Sequence, residues 1–597
     1  MLKDKFRFWR INSLLVLFLS FWIIIACRLF QLQVLEHEKF SVLAANQHWG
    51  SAEIPAARGR ILSSDGFPLV ENQIAYLVYG KPPTVVDVKT TAQRLAEVLW
   101  EENSKSQTTE EETERIENAL SQNLQWVPLA HKISPETKVK IEELEIEGIG
   151  FEEEPKRFYP EGALAAHLLG FVGSDEQGQD QGYYGLEGFY NGDLRGRSGR
   201  IVEEKGASGE PILLGDYKKI PAENGRDLAL TLDRSVQFLV EQKLAAAVEK
   251  YGAKSGSVVV MEPATGAILA MANFPAYDPA TRKHRTEVTE TQNFSDSASP
   301  ASEAESEFSD SVLQWTNPAI SETYEPGSVL KALTMSAGID TKTVKPQTTM
   351  QDSGPITVSG YTVDNWDGKH HGEETMIEIL QHSNNCGAAW VGQQVGAETL
   401  RNYFLKFGLG ETLGIDLEDE DTGIVKELSE WRPIDLANAA FGQGVSMTPL
   451  QLASIFSTIV RKGVMMRPYL VDEIHEGDKV IQTKPKKLAQ VLSEQSADIM
   501  VEMLTAAVEG GESKFYNLET HRVAGKTGTA QIPVEGRYDP TKTNCTFIGF
   551  LPSYPEFVML VLLRQPSASI YAAETAVPTW MEIARELTVY YGIEPDK

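Results

Sequence analysis

The sequence is poor in cysteine and in positive charge. Its 597 residues include three cysteines, Cys27, Cys386 and Cys545, which are too few for a disulfide framework. Lysine and arginine number 55 against 84 acidic residues, so the formal net charge is −29. Phosphate binding needs clustered basic side chains, and this balance therefore excludes a nucleic-acid-binding protein. Hydrophobic residues make up 42% of the chain, enough for two or three domains with cores of their own.

The N-terminal 32 residues contain a long apolar stretch. Residues 11–27 are almost wholly apolar, and apolar neighbours up to residue 32 extend the stretch towards the roughly 20 residues that span a bilayer. No small-x-small cleavage site follows, which favours an uncleaved transmembrane helix over a signal peptide. Because residues 24–27 resemble a lipoprotein processing box, lipidation of Cys27 is the alternative. The basic excess in residues 1–10 predicts a cytoplasmic tail, with everything after the helix outside the cytoplasmic membrane.

Ser328 is followed three positions later by Lys331, a spacing that can provide a serine nucleophile with its own base. Residues three apart on a helix are surface neighbours, so the Lys331 amine could take the Ser328 hydroxyl proton. Pro326 and Gly327 suit the turn that starts such a helix, whose free N–H groups favour a developing negative charge. Alone, the pattern is weak, because most Ser-x-x-Lys spacings are solvated helix faces.

Two later motifs strengthen this interpretation. Residues 383–385 are Ser-Asn-Asn, and residues 526–529 are Lys-Thr-Gly-Thr. Taken singly, the first could be a polar helix cap and the second a strand running into a turn. In this order, however, Ser-x-x-Lys, Ser-x-Asn and Lys-Thr-Gly form the motif set of penicillin-binding proteins and serine β-lactamases. The ordered set predicts acyl transfer through a serine.

Each catalytic candidate then has a chemical role. Ser328 would attack a carbonyl and Lys331 would take its proton, while a second cation at Lys526 would keep Lys331 neutral by like-charge repulsion. Ser383 would relay the proton to the leaving amine. Asn385 would hydrogen-bond the substrate amide and the lysine. This chemistry requires no metal and no cofactor.

The Lys-Thr-Gly segment is predicted to form one wall of the cleft. Lys526, Thr527 and Thr529 would face the terminal carboxylate of the substrate. Gly528 has no side chain, so substrate could lie close against the strand. The backbone N–H groups of Ser328 and Thr529 are the expected oxyanion hole.

Segments outside these motifs resemble the class B penicillin-binding proteins. Arg-Gly-Arg-Ile, Arg-Phe-Tyr-Pro and Gly-Leu-Glu occur in the order found in the pedestal of that family, at residues 58–61, 157–160 and 185–187. Further landmarks resemble those of its transpeptidase domain: residues 231–233, which would open a helix, residues 262–271, which would form a hairpin, and residues 273–279 and 441–444. The resemblance covers nearly the whole chain.

The resemblance implies an α+β multidomain fold. After the tail at residues 1–10 and the transmembrane helix at residues 11–32, it implies an elongated, mainly β or mixed pedestal of the dimerisation type at residues 33–225. A transpeptidase domain would follow at residues 226–597, with a central antiparallel sheet sandwiched by helices. A Ser-, Glu- and Asp-rich stretch at residues 281–312 is predicted to be a disordered insert. A solvated spacer is the simpler interpretation of it, and a regulatory lid is the alternative.

The implied activity is that of a membrane-anchored peptidoglycan D,D-transpeptidase. Ser328 would expel the last alanine of a donor stem ending in D-Ala-D-Ala and pass the acyl group to an amine on a neighbouring stem. β-Lactams mimic the donor and would acylate the same serine. The Tyr-Glu-Pro-Gly lead into Ser328 is most similar to division-type members, which implies septal wall synthesis. The family also implies a multi-spanning glycosyltransferase of the SEDS type and other divisome membrane proteins as partners.

Other functions remain as alternatives. An elongation-type transpeptidase would use the same chemistry elsewhere in the wall. A D,D-carboxypeptidase or β-lactamase would pass the acyl group to water, but a hydrolase of a soluble antibiotic needs neither anchor nor pedestal. A non-catalytic divisome scaffold is disfavoured because all catalytic candidates are present.

Three further features lie near the motifs. His370 and His371 are adjacent, and because adjacent side chains diverge and no third ligand is evident, they are predicted to be a loop pair rather than a metal site. Cys386 is predicted to be a small core residue. Residues 569–576 replace the family's usual Tyr-Gly-Gly run, which leaves the substrate contacts of that segment open.

Overall fold

Strands from all parts of the chain define the architecture. The computed structural model describes residues 2–40, 49–100, 108–175, 178–204, 217–281, 315–534 and 537–597. The predicted insert at residues 281–312 lies, apart from Thr281, outside these residues.

The strands are, in chain order, β1 (Trp49–Ile54), β2 (Ile61–Leu62), β3 (Pro68–Gly80), β4 (Val127–Ile133), β5 (Ile149–Phe158), β6 (Phe171–Ser174), β7 (Asp180–Tyr183), β8 (Gly199–Glu204), β9 (Tyr217–Ile220), β10 (Asp227–Leu230), β11 (Ser255–Met261), β12 (Ile268–Phe274), β13 (Thr349–Asp352), β14 (Ile356–Val358), β15 (Tyr361–Val363), β16 (Gly372–Thr375), β17 (Val464–Met466), β18 (Val471–Glu476), β19 (Lys479–Gln482), β20 (Lys487–Gln490), β21 (Ala524–Val534), β22 (Arg537–Phe550) and β23 (Val558–Arg564).

Helices alternate with these strands. They are α1 (Leu2–Phe30), which continues as a π turn (Gln31–Leu35), α2 (Val88–Leu99), α3 (Thr109–Leu120), α4 (Pro135–Glu142), α5 (Ala166–Leu169), α6 (Gly185–Phe189), α7 (Asn191–Leu194), α8 (Arg234–Tyr251), α9 (Pro318–Ser321), α10 (Lys331–Asp340), α11 (Met376–Gln381), α12 (Asn385–Val395), α13 (Ala397–Lys406), α14 (Pro433–Ala440), α15 (Pro449–Val460), α16 (Glu494–Gly510) and α17 (Ala576–Tyr590). Short 3-10 turns occur at Pro82–Thr84, Gly327–Leu330, Leu428–Glu430, Glu512–Tyr516 and Ala572–Glu574.

The chain divides into two compact units, of which the first comprises Met1–Ala57 and Gly196–Asn224. Its described part contains α1 and an antiparallel sheet of order β1-β8-β9. Within α1 and the π turn, Ile11–Leu35 is long and apolar enough to cross a membrane, and none of it is buried. Among the described residues this is the one helix with that character. It agrees with the apolar helix predicted at residues 11–32.

The second unit, Arg58–Arg195 and Gly225–Lys597, contains a seven-stranded sheet. Its order is β19-β18-β10-β2-β3-β4, and β5 pairs with β3 along ten positions. Helices α2 and α3 cover this sheet through a core that includes Leu95 and Ile116. Asp87 caps the first turn of α2 through a bond from the Thr90 amide, which supplies an acceptor where the helix has none of its own.

A buried ion cluster links three of the landmark segments. Glu187 in α6 has no exposed surface. Arg58 donates from Nε to Glu187 Oε2 at 2.6 Å, and Arg157 donates from Nε to Glu187 Oε1 at 2.6 Å. Two guanidinium groups therefore compensate one carboxylate that would otherwise be costly to bury. The landmark residues serve packing in this part of the chain.

The second sheet of this unit is five-stranded and antiparallel, in the order β12-β11-β23-β22-β21. Alternate residues of β11 belong to two different cores: Val258 and Val260 lie in one, and Val259 and Met261 lie in the other. This follows from the two-residue period of a strand. A strand that is apolar on both faces needs cover on both, and the predicted sandwich is confirmed.

Helices provide that cover. On one face lie α8 and α17, with Val240 and Trp580 in the core, and on the other lie α10, α15 and α16, with Leu333 and Ile455 in the core. Asp233 caps the N-terminus of α8, as its sequence predicts. At the edge of the sheet, β21 packs against the 3-10 turn at Gly327–Leu330.

Candidate active site

The predicted nucleophile lies in a tight turn. Ser328 is part of the 3-10 turn Gly327–Leu330, which leads directly into α10. Gly327 has a φ of +54°, in the region that favours glycine, and its N–H donates to the Gly442 carbonyl at 3.1 Å. A Cβ at Gly442 would lie 2.0 Å from the Gly327 oxygen. The Phe-Gly-Gln-Gly segment thus supports the Ser328 turn, and only glycine allows the approach.

Lys331 is the buried residue from which the central hydrogen bonds of the site are donated. It is 1% exposed, and its Nζ donates to Asn385 Oδ1 at 2.7 Å, to Ser383 Oγ at 3.3 Å and to the Ser383 carbonyl oxygen. The Lys526 Nζ donates to the same Ser383 Oγ at 3.0 Å. The structure therefore brings Lys331, Ser383, Asn385 and Lys526 together. Of these, Lys331 directly follows the Ser328 turn.

Burial and charge both act on Lys331. Burial holds the pKa of the Lys331 amine well below its usual value, and the neighbouring Lys526 lowers this pKa further, against an opposing effect of Glu512. The pKa of Lys526 is also lowered by burial, again opposed by Glu512. The like-charge repulsion inferred from sequence is present, but desolvation is the larger cause. A neutral amine at Lys331 can accept a proton.

The Lys-Thr-Gly segment lies in β21, the edge strand beside the Ser328 turn. Thr527 accepts a bond from Lys526 Nζ at 3.1 Å and donates to Glu512 Oε2 at 3.0 Å. Thr529 Oγ1 accepts from the Ala572 amide at 3.0 Å. Ala572 belongs to the segment at residues 569–576 whose contacts the sequence left open.

Gly528 faces the nucleophile turn. A Cβ there would lie 2.6 Å from Val329 Cγ2 and 2.7 Å from the Pro326 oxygen. The missing side chain thus leaves room for the Ser328 turn, whereas the sequence interpretation assigned that room to substrate. The packing of strand against turn is the physical reason for this difference.

A cavity of about 760 Å³ opens over these residues. Ser328, Ser383, Asn385, Thr527 and Thr529 line it, whereas neither lysine does. Residues that the sequence analysis missed complete the lining, among them Asn365, Trp366, Gln443, Glu512, Tyr538 and Tyr571. Trp366 and Tyr571 meet edge to face with ring centroids 5.5 Å apart. Gln443 belongs to the Phe-Gly-Gln-Gly landmark, but no sequence motif marks the other five side chains, which come from four separate segments.

The middle residue of the Ser-x-Asn motif is a helix cap. The Asn384 Oδ1 accepts from the Gly387 amide at 2.7 Å and caps the start of α12, so a helix cap at this motif is compatible with the predicted catalytic role of its neighbours. Ser383 has a left-handed φ of +54°, which is unusual for a residue with a side chain. Cys386 is buried, as predicted, and burial raises the pKa of its thiol to about 11.

His370 and His371 lie in a loop and do not share one site, as predicted, but the sequence did not show the partners that lie beside each of them. Their side chains diverge as expected, but each meets partners from elsewhere: His370 lies with Asp352 and Cys386, and His371 lies with Glu374 and His382, the ligand atoms of each group lying within 4.8 Å of one another. Each group has the residue types that could bind a metal ion. Pairing of β13 with β16 brings Asp352 close to the His370 segment.

Comparisons with known proteins agree with this geometry. Residues 256–585 match the penicillin binding protein transpeptidase domain, and residues 53–230 match the penicillin-binding protein dimerisation domain. The chain is 32% identical to the stage V sporulation protein D of Bacillus subtilis, over 96% of this chain and 85% of that protein. It is 28% identical to the peptidoglycan D,D-transpeptidase FtsI of Escherichia coli, over 79% of this chain and 73% of that protein.

A solved structure is similar over most of its length. The crystal structure of penicillin binding protein 3 from Mycobacterium tuberculosis, complexed with aztreonam, superposes with a TM-score of 0.66 at 25% identity, covering 92% of this chain and 98% of that one. The apolar helix at the N-terminus fits a membrane anchor. The chain therefore belongs to the penicillin-binding protein family, as a class B member most similar to the division-type transpeptidases.

Proposed function

We propose that this protein is a membrane-anchored peptidoglycan D,D-transpeptidase that cross-links stem peptides through an acyl-enzyme on Ser328. One observation carries the proposal. Lys331, which directly follows the Ser328 turn, is buried, is hydrogen-bonded to Ser383 and Asn385, and has a lowered pKa. A lysine kept neutral beside a serine is a base for that serine.

Acylation would begin with attack of Ser328 Oγ on the carbonyl carbon of the penultimate D-alanine. The Lys331 amine takes the hydroxyl proton as the C–O bond forms. The N–H groups of Ser328 and Thr529 stabilise the oxyanion, at roughly 3 to 4 kcal/mol per donor. The intermediate then collapses with cleavage of the C–N bond, and the terminal D-alanine leaves as an amine after receiving a proton through Ser383.

Transfer would run the same path in reverse. The amine of a neighbouring stem attacks the ester carbonyl and loses its proton through Ser383 and Lys331. The ester C–O bond breaks, and the Ser328 oxygen regains its proton. Both half-reactions use the bonds that join Lys331, Ser383 and Lys526, so one proton relay serves both directions.

Strand β21, which forms one wall of the cavity, would recognise the donor stem peptide. Lys526, Thr527 and Thr529 bind the terminal carboxylate of the donor stem. Gly528 keeps this wall against the Ser328 turn, as its close approach to Val329 suggests. Asn385, which lines the same cavity, would bind the substrate amide.

The compartment and partners are part of the same proposal. Residues 1–10 are a cytoplasmic tail, residues 11–32 cross the cytoplasmic membrane once, residues 33–225 form the pedestal, and residues 226–597 form the extracytoplasmic transpeptidase domain. The basic excess of the tail supports this orientation. A SEDS-type glycosyltransferase would supply glycan strands at the septum, and other divisome membrane proteins would be further partners.

A labelled penicillin tests the chemistry. The full-length protein in detergent should form a lasting adduct, and Ser328→Ala should abolish the adduct while the thermal unfolding midpoint stays unchanged. Rapid turnover of the adduct would instead indicate a hydrolase, and absence of labelling in the unmodified protein would indicate a scaffold. Depletion in cells should cause filamentation, whereas rounding would favour the elongation-type alternative.

A further inference from the structure

The turn that presents Ser383 and Asn385 to Lys331 is strained. Ser383 has a φ of +54° and connects α11 to α12. Both side chains must keep their direction, because Lys331 Nζ bonds Ser383 Oγ at 3.3 Å and Asn385 Oδ1 at 2.7 Å. A strained backbone persists where the surrounding structure over-determines it. The groups that hold this turn are therefore part of the catalytic geometry.

Two buried carboxylates lie behind the turn: Glu374 accepts a bond from Asn384, and Asp352 binds both Asn384 and Asn365. Asp352, the last residue of β13, is 2% exposed. Its Oδ2 accepts from Asn384 Nδ2 at 2.7 Å and from Asn365 Nδ2 at 2.9 Å. Its Oδ1 lies 2.8 Å from His370 Nδ1. Three hydrogen bonds thus converge on one buried side chain.

Asn365 and Asn384 link Asp352 to the backbone at the start of α12. Asn365 Oδ1 accepts from the backbone N–H of Asn385 at 2.9 Å and of Cys386 at 3.3 Å. Asn384 Oδ1 accepts from the Gly387 N–H at 2.7 Å. The first three N–H groups of α12, which have no partner within the helix, are all bonded to side chains that Asp352 holds. Each asparagine donates to Asp352 and accepts from the helix, and each amide donates to a second acceptor as well, the Lys369 carbonyl for Asn365 and Glu374 Oε2 for Asn384.

Asp352 suits this role as a charged acceptor. Burial acts to raise the pKa of its carboxyl, but the hydrogen bonds from His370, Asn384 and Asn365 outweigh burial and lower it. Among the described residues, no lysine or arginine forms an ion pair with Asp352. Its carboxylate therefore binds His370 and the two asparagines that position the turn, and such charge-assisted bonds are stronger than neutral ones.

We propose that Asp352 is a positioning residue of the acylation reaction, holding the Ser383 to Asn385 turn against Lys331 through Asn365 and Asn384. The proposal rests on the proposed function of the Ser328 site. Asp352 does not line the cavity, so it acts on the reaction through these neighbours and not by touching substrate.

The first test compares rate with completeness of labelling. In the full-length protein, Asp352→Asn keeps the shape of the side chain but removes its charge and leaves one acceptor oxygen in place of two. The rate constant for acylation by a fluorescent penicillin should fall at least tenfold, while every molecule is still labelled at the end point. A reduced labelled fraction that reacts at the normal rate would mean a merely structural role and would overturn the proposal, as would an unchanged rate.

Two variants guard against a change that only disturbs folding. Asn365→Ala removes one link and leaves Asp352 in place, so its acylation should be several-fold slower with complete labelling. In D352N/N365D the donor and acceptor are exchanged and the bond between these positions can form again. We expect this double variant to react at least threefold faster than D352N, and a rate equal to or below that of D352N would contradict the proposed link.

A matched control comes from the neighbouring strand. Glu373 lies on β16, paired with β13, and its exposed carboxylate accepts a bond from Thr349. Glu373→Gln removes a negative charge from the same hairpin and should acylate at the normal rate. The unmodified protein separates the two proposals: if it is not labelled, the proposed function fails, and if it is labelled while D352N matches its rate, only the role of Asp352 fails.

Discussion

The amine of Lys526 donates a 3.0 Å hydrogen bond to the hydroxyl of Ser383. The same hydroxyl accepts from Lys331, so one serine oxygen lies between two buried amines. Two adjacent ammonium groups would repel one another in this setting. The arrangement therefore favours a state in which at least one amine is neutral, as a base for Ser328 requires.

Removing the charge of Lys526 should shift the pH dependence of acylation. Lys526 lowers the pKa of Lys331, so Lys526→Gln should raise that pKa and move the acidic limb of the rate profile to higher pH. At neutral pH, we expect the acylation rate constant to fall roughly 10²-fold, within the range of general-base effects. The measurement is the acylation rate constant between pH 5 and 9, and an unmoved acidic limb would contradict the coupling.

Glu512 should have the opposite effect. Its negative charge raises the pKa of both Lys331 and Lys526, so Glu512→Gln should move the acidic limb to lower pH. The Thr527 hydroxyl, which donates to Glu512 at 3.0 Å, can still donate to the amide oxygen. The same rate profile tests this prediction, and a shift in the same direction as that of the Lys526 variant would refute it.

A methyl group at Gly528 should separate β21 from the nucleophile turn. The new Cβ would lie 2.6 Å from Val329 Cγ2, closer than packed atoms allow. We expect Gly528→Ala to slow acylation at least tenfold, by about 1.4 kcal/mol or more in the barrier. Gly192 is a suitable control, because a Cβ there meets no atom within 4 Å. Gly192→Ala should react normally, and a normal rate for both variants would show that the close packing is unimportant.

The buried Glu187 cluster should be a stability determinant. Glu187→Gln leaves Arg58 and Arg157 without their common carboxylate in a buried site, which typically costs about 3 to 5 kcal/mol. Thermal and urea unfolding of the full-length protein should show this loss. The exposed pair of Glu142 with Lys138 is the control, and Glu142→Gln should change stability by less than about 1 kcal/mol. Equal effects of the two variants would argue against a special role of burial.

Local patterns in the sequence predicted several elements correctly. Ser328 and Lys331 lie one turn apart, and Asp233 starts α8, as predicted. These predictions succeeded because capping and helical spacing involve residues within four positions of each other. The hairpin of β11 and β12 was predicted from one continuous segment. The apolar helix near the N-terminus depends only on the composition of that segment.

Other features could not be predicted from the sequence, because they depend on residues far apart in the chain. Glu512, Asn365 and Asp352 carry no motif, and their roles follow from contacts with the Ser-x-Asn turn and the Lys-Thr-Gly strand. The ligand partners of His370 and His371 come from neighbouring strands and helices. The packing of Gly528 against the nucleophile turn was not predicted for the same reason.

The sequence by itself determined the chemistry: which side chains can attack, accept protons and bind a carboxylate, and that an apolar helix accompanies them. Only the tertiary structure decided how deeply those side chains are buried, which groups surround them and in which direction their pKa values shift. Burial of Lys331 is the larger cause of its lowered pKa, and burial results from the packing of α10, α12 and β21 around it. A side chain's type is local, but its solvation and its neighbours are properties of the whole fold.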